Sequence, residues 1–115
     1  FIELHQLVPA FAFRYLEKNR AVLDSMGLEG YVRDFKVGDK LLGEFLKYAI
    51  RHGSQRNARQ WRKIKSDVAL MLKAGIARDM WSGKGYFMVL NATDPAVTEA
   101  RRLMKEDHPA PLMAN

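Results

Sequence analysis

The chain has 115 residues and a mass of 13.2 kDa, with 48% hydrophobic and 28% charged residues, which fits one domain able to hold a core without metal or disulfide staples. The absence of cysteine excludes disulfides, thiolate zinc sites, iron–sulfur clusters and cysteine nucleophiles. Its 19 basic and 13 acidic residues give a net charge of +6, and no apolar run, Val68 to Leu72 included, is long enough to cross a membrane.

The opening residues, Phe1-Ile2-Glu3-Leu4-His5, carry neither Met nor a basic leader, so the sequence is expected to begin inside a longer gene product. From Glu3 to about Met26, Leu4, Leu7, Val8, Phe11, Tyr15 and Leu16 recur three or four apart, the spacing of one apolar helical stripe. Pro9 falls within it, which predicts either a helix start near Val8 or a kink. Gly27 and Gly30 predict the end of this helix, with Tyr31 to Val37 as an irregular connector.

The second helix is expected from Gly38 or Asp39 to Gly53, with Asp39 capping free amides or offsetting the helix dipole. Its buried face is read as Leu41, Leu42, Phe45, Leu46, Ala49 and Ile50. After a polar turn, Asn57 and Gln60 form an approximate capping box. Trp61, Ile64, Val68, Met71, Leu72, Ile76 and Met80 then recur at helical spacing. These residues define a long central helix over about 57–81.

Trp81-Ser82-Gly83-Lys84-Gly85 breaks the pattern. The five apolar residues from Tyr86 to Leu90 suit a strand or a helical turn, and since no partner strand is evident elsewhere a short helix is expected. Asp94-Pro95 predicts a last helix with Val97, Ala100, Leu103 and Met104 on its inner face. The expected fold class is all-α, a single compact bundle of four to five helices around the central one. It occupies residues 1–105, with a loosely ordered tail over 106–115.

The positive charge is concentrated. Arg51, Arg56, Arg59, Arg62, Lys63 and Lys65 fall within fifteen positions without an acid, and the remainder of the chain is neutral. Such a patch can attract phosphates or an acidic protein surface. Only Trp61 interleaves with these charges, however, where nucleic-acid binding usually adds stacking aromatics, so a solvated turn and helix start is the preferred reading.

Candidate chemistry is thin. His5, His52 and His108 are too scattered for a local metal motif, and His52 suits a helix C-terminus. Ser25, Ser54, Ser66 and Ser82 sit at predicted helix ends, turns or polar faces, with no base in register. Ser82-Gly83-Lys84 lacks the leading glycine and preceding strand of a phosphate loop. No catalytic, cofactor-binding or metal residues are assigned. Trp61 and Trp81, at the ends of the central helix, are candidate anchors for a partner, although large aromatics are more often core edges. Phe11, Phe13 and Tyr15, with Ala12 between them, make the first helix apolar on several sides, which suggests an interface covered by a preceding domain or another subunit.

Four segments in this order, Phe11 to Arg20 (Phe-Ala-Phe-Arg-Tyr-Leu-Glu-Lys-Asn-Arg), Phe35 to Phe45, Leu72 to Trp81 and Tyr86 to Pro95, resemble the region after the catalytic domain in carboxy-terminal processing (tail-specific) serine proteases of Bacteroidetes-type bacteria. The resemblance runs from about residue 10 to residue 104. Gly75, where a larger residue is expected, and the basic turn around Arg56 are departures. The resemblance implies an exported, periplasmic or envelope-associated hydrolase carrying a PDZ module and a protease domain in the same polypeptide, with a serine nucleophile and a lysine base. No residue of this chain matches that nucleophile or base.

The expected function is therefore that of a noncatalytic accessory domain, without cofactor, that docks on the protease body or self-associates. The alternative is a small basic helical module that binds nucleic acid or another polyanion through residues 51–65.

Overall fold

The computed structural model describes residues 2–54 and 58–93 and is all-α, with no strand among these residues. It comprises α1 (Ile2–Asp34), α2 (Asp39–Arg51) and α3 (Ala58–Thr93). Four to five helices are expected from the sequence over the whole chain, whereas the described residues form three. Two expected boundaries, at Gly27 and at Trp81–Ser82, are non-helical positions inside longer helices and do not open into loops. Arg56, the Asn57 cap, the last helix from Asp94 and the tail lie outside the described residues.

Helix α1 begins at Ile2 and keeps helical geometry through Pro9, so neither a start near Val8 nor a kink there is found. Proline here, two turns into the helix, removes one interior backbone bond, and Leu4 and Val8, both buried, hold the first turns against α2 and α3. Gly27 adopts φ 72° and ψ 165°, a region open almost only to glycine. The helix changes direction there and resumes to Asp34, where the sequence suggested an irregular connector.

The reason for the resumption is Tyr31. Its side chain is fully buried, its hydroxyl donates to the Lys73 carbonyl at 2.7 Å, and its ring stacks on Phe35 at 4.5 Å and meets Trp81 at 5.1 Å. Lys73 reciprocates, its ammonium donating to the Val32 carbonyl at 2.8 Å. That carbonyl is among the last four of α1, which lack intrahelical donors. The final turns of α1 are thus bonded to the middle of α3.

Helix α2 starts after Gly38, whose carbonyl accepts from the Leu42 amide. Asp39 follows the cap position and makes no side-chain cap, but it lies in the first turn, where its carboxylate offsets the helix dipole, and it pairs with Lys65 of α3 at 2.6 Å. The helix stops as its glycine predicts. Gly53 has φ 92°, the Gly53 amide donates to the Ile50 carbonyl and the Ser54 amide to that of Ala49, the pair of bonds that closes a Schellman motif. Leu42, Phe45, Tyr48 and Ala49 are buried. Ile50, expected on the buried face, is 54% exposed, its place near the helix end being taken by Tyr48, which the apolar pattern passed over.

Helix α3 supplies the backbone of the core through Val68, Leu72, Ala74, Ile76 and Ala77. At its break Trp81 has φ −127° and Ser82 has φ 63° and ψ −160°. A Cβ added at Gly85 would lie 2.7 Å from the Ala77 carbonyl oxygen, although residues eight apart in a straight helix are separated by about 12 Å. The chain therefore doubles back, and Arg78 lies over the Tyr86 ring at 5.5 Å. Tyr86 to Leu90 is helical, and Val89 is buried in the cluster that contains Ala12, Leu16, Leu23 and Tyr31.

One position brings α1 and α3 unusually close. A Cβ on Gly75 would meet Val8 Cγ1 at 2.6 Å, so Gly75 leaves room that the Val8 side chain fills. The expected larger residue has no space there.

Two predictions follow from the break and from the buried tyrosine. Ser82 occupies backbone space that costs a side-chain-bearing residue roughly 1–3 kcal/mol, so Ser82→Gly should raise the urea midpoint while Gly27→Ala, which imposes the same cost, should lower it. Burial pushes the Tyr31 phenol far above its ordinary value of 10.0. Once the unfolded chain ionises above that value and the folded chain does not, the folded state holds the extra proton, and stability falls with rising pH. Lys73, whose pKa burial lowers from 10.5, acts in the opposite sense, since its folded form releases a proton first. Tyr31→Phe should cost about 1 kcal/mol at neutral pH and show a smaller decline than the wild type between about pH 8 and about pH 11 in denaturant titrations.

Candidate binding groove between the first two helices

Helices α1 and α2 meet through Phe11, whose ring lies 5.1 Å from Phe45 and 5.5 Å from Tyr48. On one side of that contact they diverge into a groove of about 640 Å³, within the size range of ligand sites. Phe11, Arg14, Tyr15, Lys18 and Asn19 come from α1, Phe35, Lys36 and Gly38 from the connector, and Lys40, Leu41, Glu44, Tyr48 and Arg51 from α2. The α1 set follows helical spacing, so one face of the helix serves the groove while Ala12 and Leu16 serve the core.

The floor is aromatic and internally packed. Tyr15 meets Phe35 edge-on at 6.1 Å, and the Arg14 guanidinium lies over the Tyr48 ring at 5.5 Å. Asn19 turns its amide back onto the Tyr15 carbonyl at 2.9 Å. The rim is cationic: Arg14, Lys18, Lys36, Lys40 and Arg51 are exposed, with Glu44 as the single acid. Burial, and secondarily the Glu44 carboxylate, push the Tyr15 phenol above its ordinary range, as expected for a hydroxyl beside an acid at a half-dry floor.

The sequence-predicted site residues are dispersed relative to this groove. Phe11 forms part of its floor and Arg51 part of its rim. Phe13 points away and is 53% exposed. Trp61 is half-buried against the cluster of Leu4, Val8, Leu42, Phe45 and Leu72, and Trp81 is half-buried against the cluster around Tyr31. Arg59, Arg62 and Lys63 are exposed on the first turns of α3, and Lys65 is engaged by Asp39; none of these lines the groove. Sequence reasoning passed over Arg14, Lys18, Lys36 and Lys40. The available signal was that Arg14 and Lys18, four apart, flank Phe11 and Tyr15, also four apart.

A second, smaller cavity of about 340 Å³ lies where α1, α3 and the returning arm of α3 converge, lined by apolar groups with His5, Asp67, Arg78 and Asp79. Burial raises the Asp79 carboxyl, and Arg78 opposes that shift. His52 places its ring 4.2 Å from Tyr48, and its Nδ1 donates to the Tyr48 carbonyl at 2.8 Å, a contact that supports the end of α2. The Ser25 hydroxyl donates to the Val22 carbonyl. Among the described residues no group of three or more His, Asp or Glu is placed to hold a metal ion, and no helix is long and apolar enough to cross a membrane.

No curated protein and no solved structure matches the chain. The model of a family of unknown function, DUF8443, matches residues 3–83. That span takes in α1, α2, α3 to its reversal and every residue of the groove, and the chain belongs to the DUF8443 family.

Proposed function

We propose that this chain is a noncatalytic helical docking domain of an exported carboxy-terminal processing serine peptidase, where it associates with the protease and PDZ body of the same polypeptide. Self-association is the related mode. The observation that carries the reading is the apolar surplus of α1. Its Leu4, Val8, Ala12, Leu16 and Leu23 are spent on the core, Phe11 and Tyr15 on the groove, and Phe13 still stands 53% exposed. A large exposed aromatic on a helix already satisfied on its other sides is a common interface anchor. The order of the four motif segments supports the choice of parent enzyme, and with it a periplasmic or envelope location.

A polyanion-binding module acting through residues 51–65 is the second reading. The exposure of Arg59, Arg62 and Lys63 speaks for it. The Lys65–Asp39 pair and the packing of Trp61 against the core speak against it.

Phe13→Asp should weaken association with a separately expressed protease and PDZ body, or between copies of the chain, in sedimentation and co-purification assays. Because the side chain is exposed, the folded state should change by only about 0.5 kcal/mol. A wild-type chain that stays monomeric and leaves the protease body unbound at high concentration would end this reading.

A further inference from the structure

We propose that the α1–α2 groove binds an acidic peptide segment that carries an apolar side chain. This goes beyond the docking reading, since it rests on the groove and not on Phe13.

Charge sets the first requirement. Five cations surround the groove against the one carboxylate of Glu44, so the concavity carries a local formal charge of +4. These cations come from three separate stretches of sequence, and the fold brings their exposed ends to one rim. Like charges gathered around low-dielectric walls focus a field that favours an anionic occupant.

The floor sets the second requirement. Phe11, Tyr15 and Phe35, each half-buried, offer apolar surface between the charged rims, which a purely ionic ligand would leave uncovered. A segment with carboxylates on its edges and one aromatic or aliphatic side chain beneath matches both features.

The same geometry disfavours a single-stranded nucleic acid. Nucleic-acid sites of that kind present open ring faces for successive bases. Here Phe11 is packed against Phe45 and Tyr48, Tyr15 against Phe35, and the Tyr48 ring is already covered by Arg14. Glu44 can accept hydrogen bonds from peptide amides.

The test uses the full chain and a fluorescein-labelled synthetic peptide of Glu and Asp with one central Phe, followed by anisotropy. The peptide should bind, lose affinity as salt shortens the screening length from about 10 Å at 0.1 M toward about 3 Å at 1 M, and bind better than the same peptide with Ser for Phe. Reversing two exposed rim charges, Lys18→Glu with Lys40→Glu, should weaken it roughly tenfold while circular dichroism is unchanged. Arg59→Glu with Lys63→Glu, outside the groove, and Phe13→Asp should leave it unaltered, so a failure here is separable from a failure of the docking reading. The proposal is overturned by absence of binding, by equal loss with the α3 charge pair, by indifference to the central Phe, or by an oligothymidine that binds through the rim more tightly than the peptide.

Discussion

The reciprocal bonding between Tyr31 and Lys73 is the constraint from which the rest of the arrangement follows. Tyr31 reaches across to a carbonyl of α3, and Lys73 reaches back to a carbonyl of α1. A phenol this deeply buried is tolerable only with its hydroxyl satisfied, and a partly buried ammonium only with an acceptor. Both conditions are met at once, and only if the last turns of α1 lie at one place along α3. Gly27 makes that placement reachable by turning the chain just before those turns.

The position of the connector is fixed in consequence. Phe35 stacks on Tyr31, so the residues that follow must leave α1 beside α3, and Asp39 is delivered to Lys65. An exposed pair of that kind contributes little by itself. The placement of α2 rests on Leu42, Phe45 and Ala49, which pack in the core with Leu4, Val8, Val68 and Leu72. The groove is the space left over when α2 is held at these points and α1 runs on toward α3. Its cations repel one another, and they are carried to the rim by helices positioned for other reasons.

Much of the fold was legible because helical spacing is a local property. Leu4, Val8 and Leu16 on α1, Phe45 and Ala49 on α2, and Val68, Leu72 and Ile76 on α3 were visible as stripes and are buried. Gly53 and the Trp81–Ser82 break were visible as punctuation. Tyr31 was not, because a tyrosine after two glycines carries no sign that a backbone carbonyl 42 positions away will receive its hydroxyl. Helix therefore continued where a loop was expected. The groove was illegible for a related reason. A run of charge such as Arg51 to Lys65 stands out along the chain, whereas Arg14, Lys36 and Lys40 become neighbours of a single cavity only after α1 and α2 are set at their angle.

The contact between Gly75 and Val8 ties two distant positions into one volume. Interiors packed to crystal-like density have no slack to absorb a methyl group at such a point. A lineage that gains a side chain at 75 must therefore surrender one at 8 or let the two longest helices drift apart, so these two positions should change together during divergence. A chain that combined the bulkier choice at both would inherit neither ancestor's helix spacing.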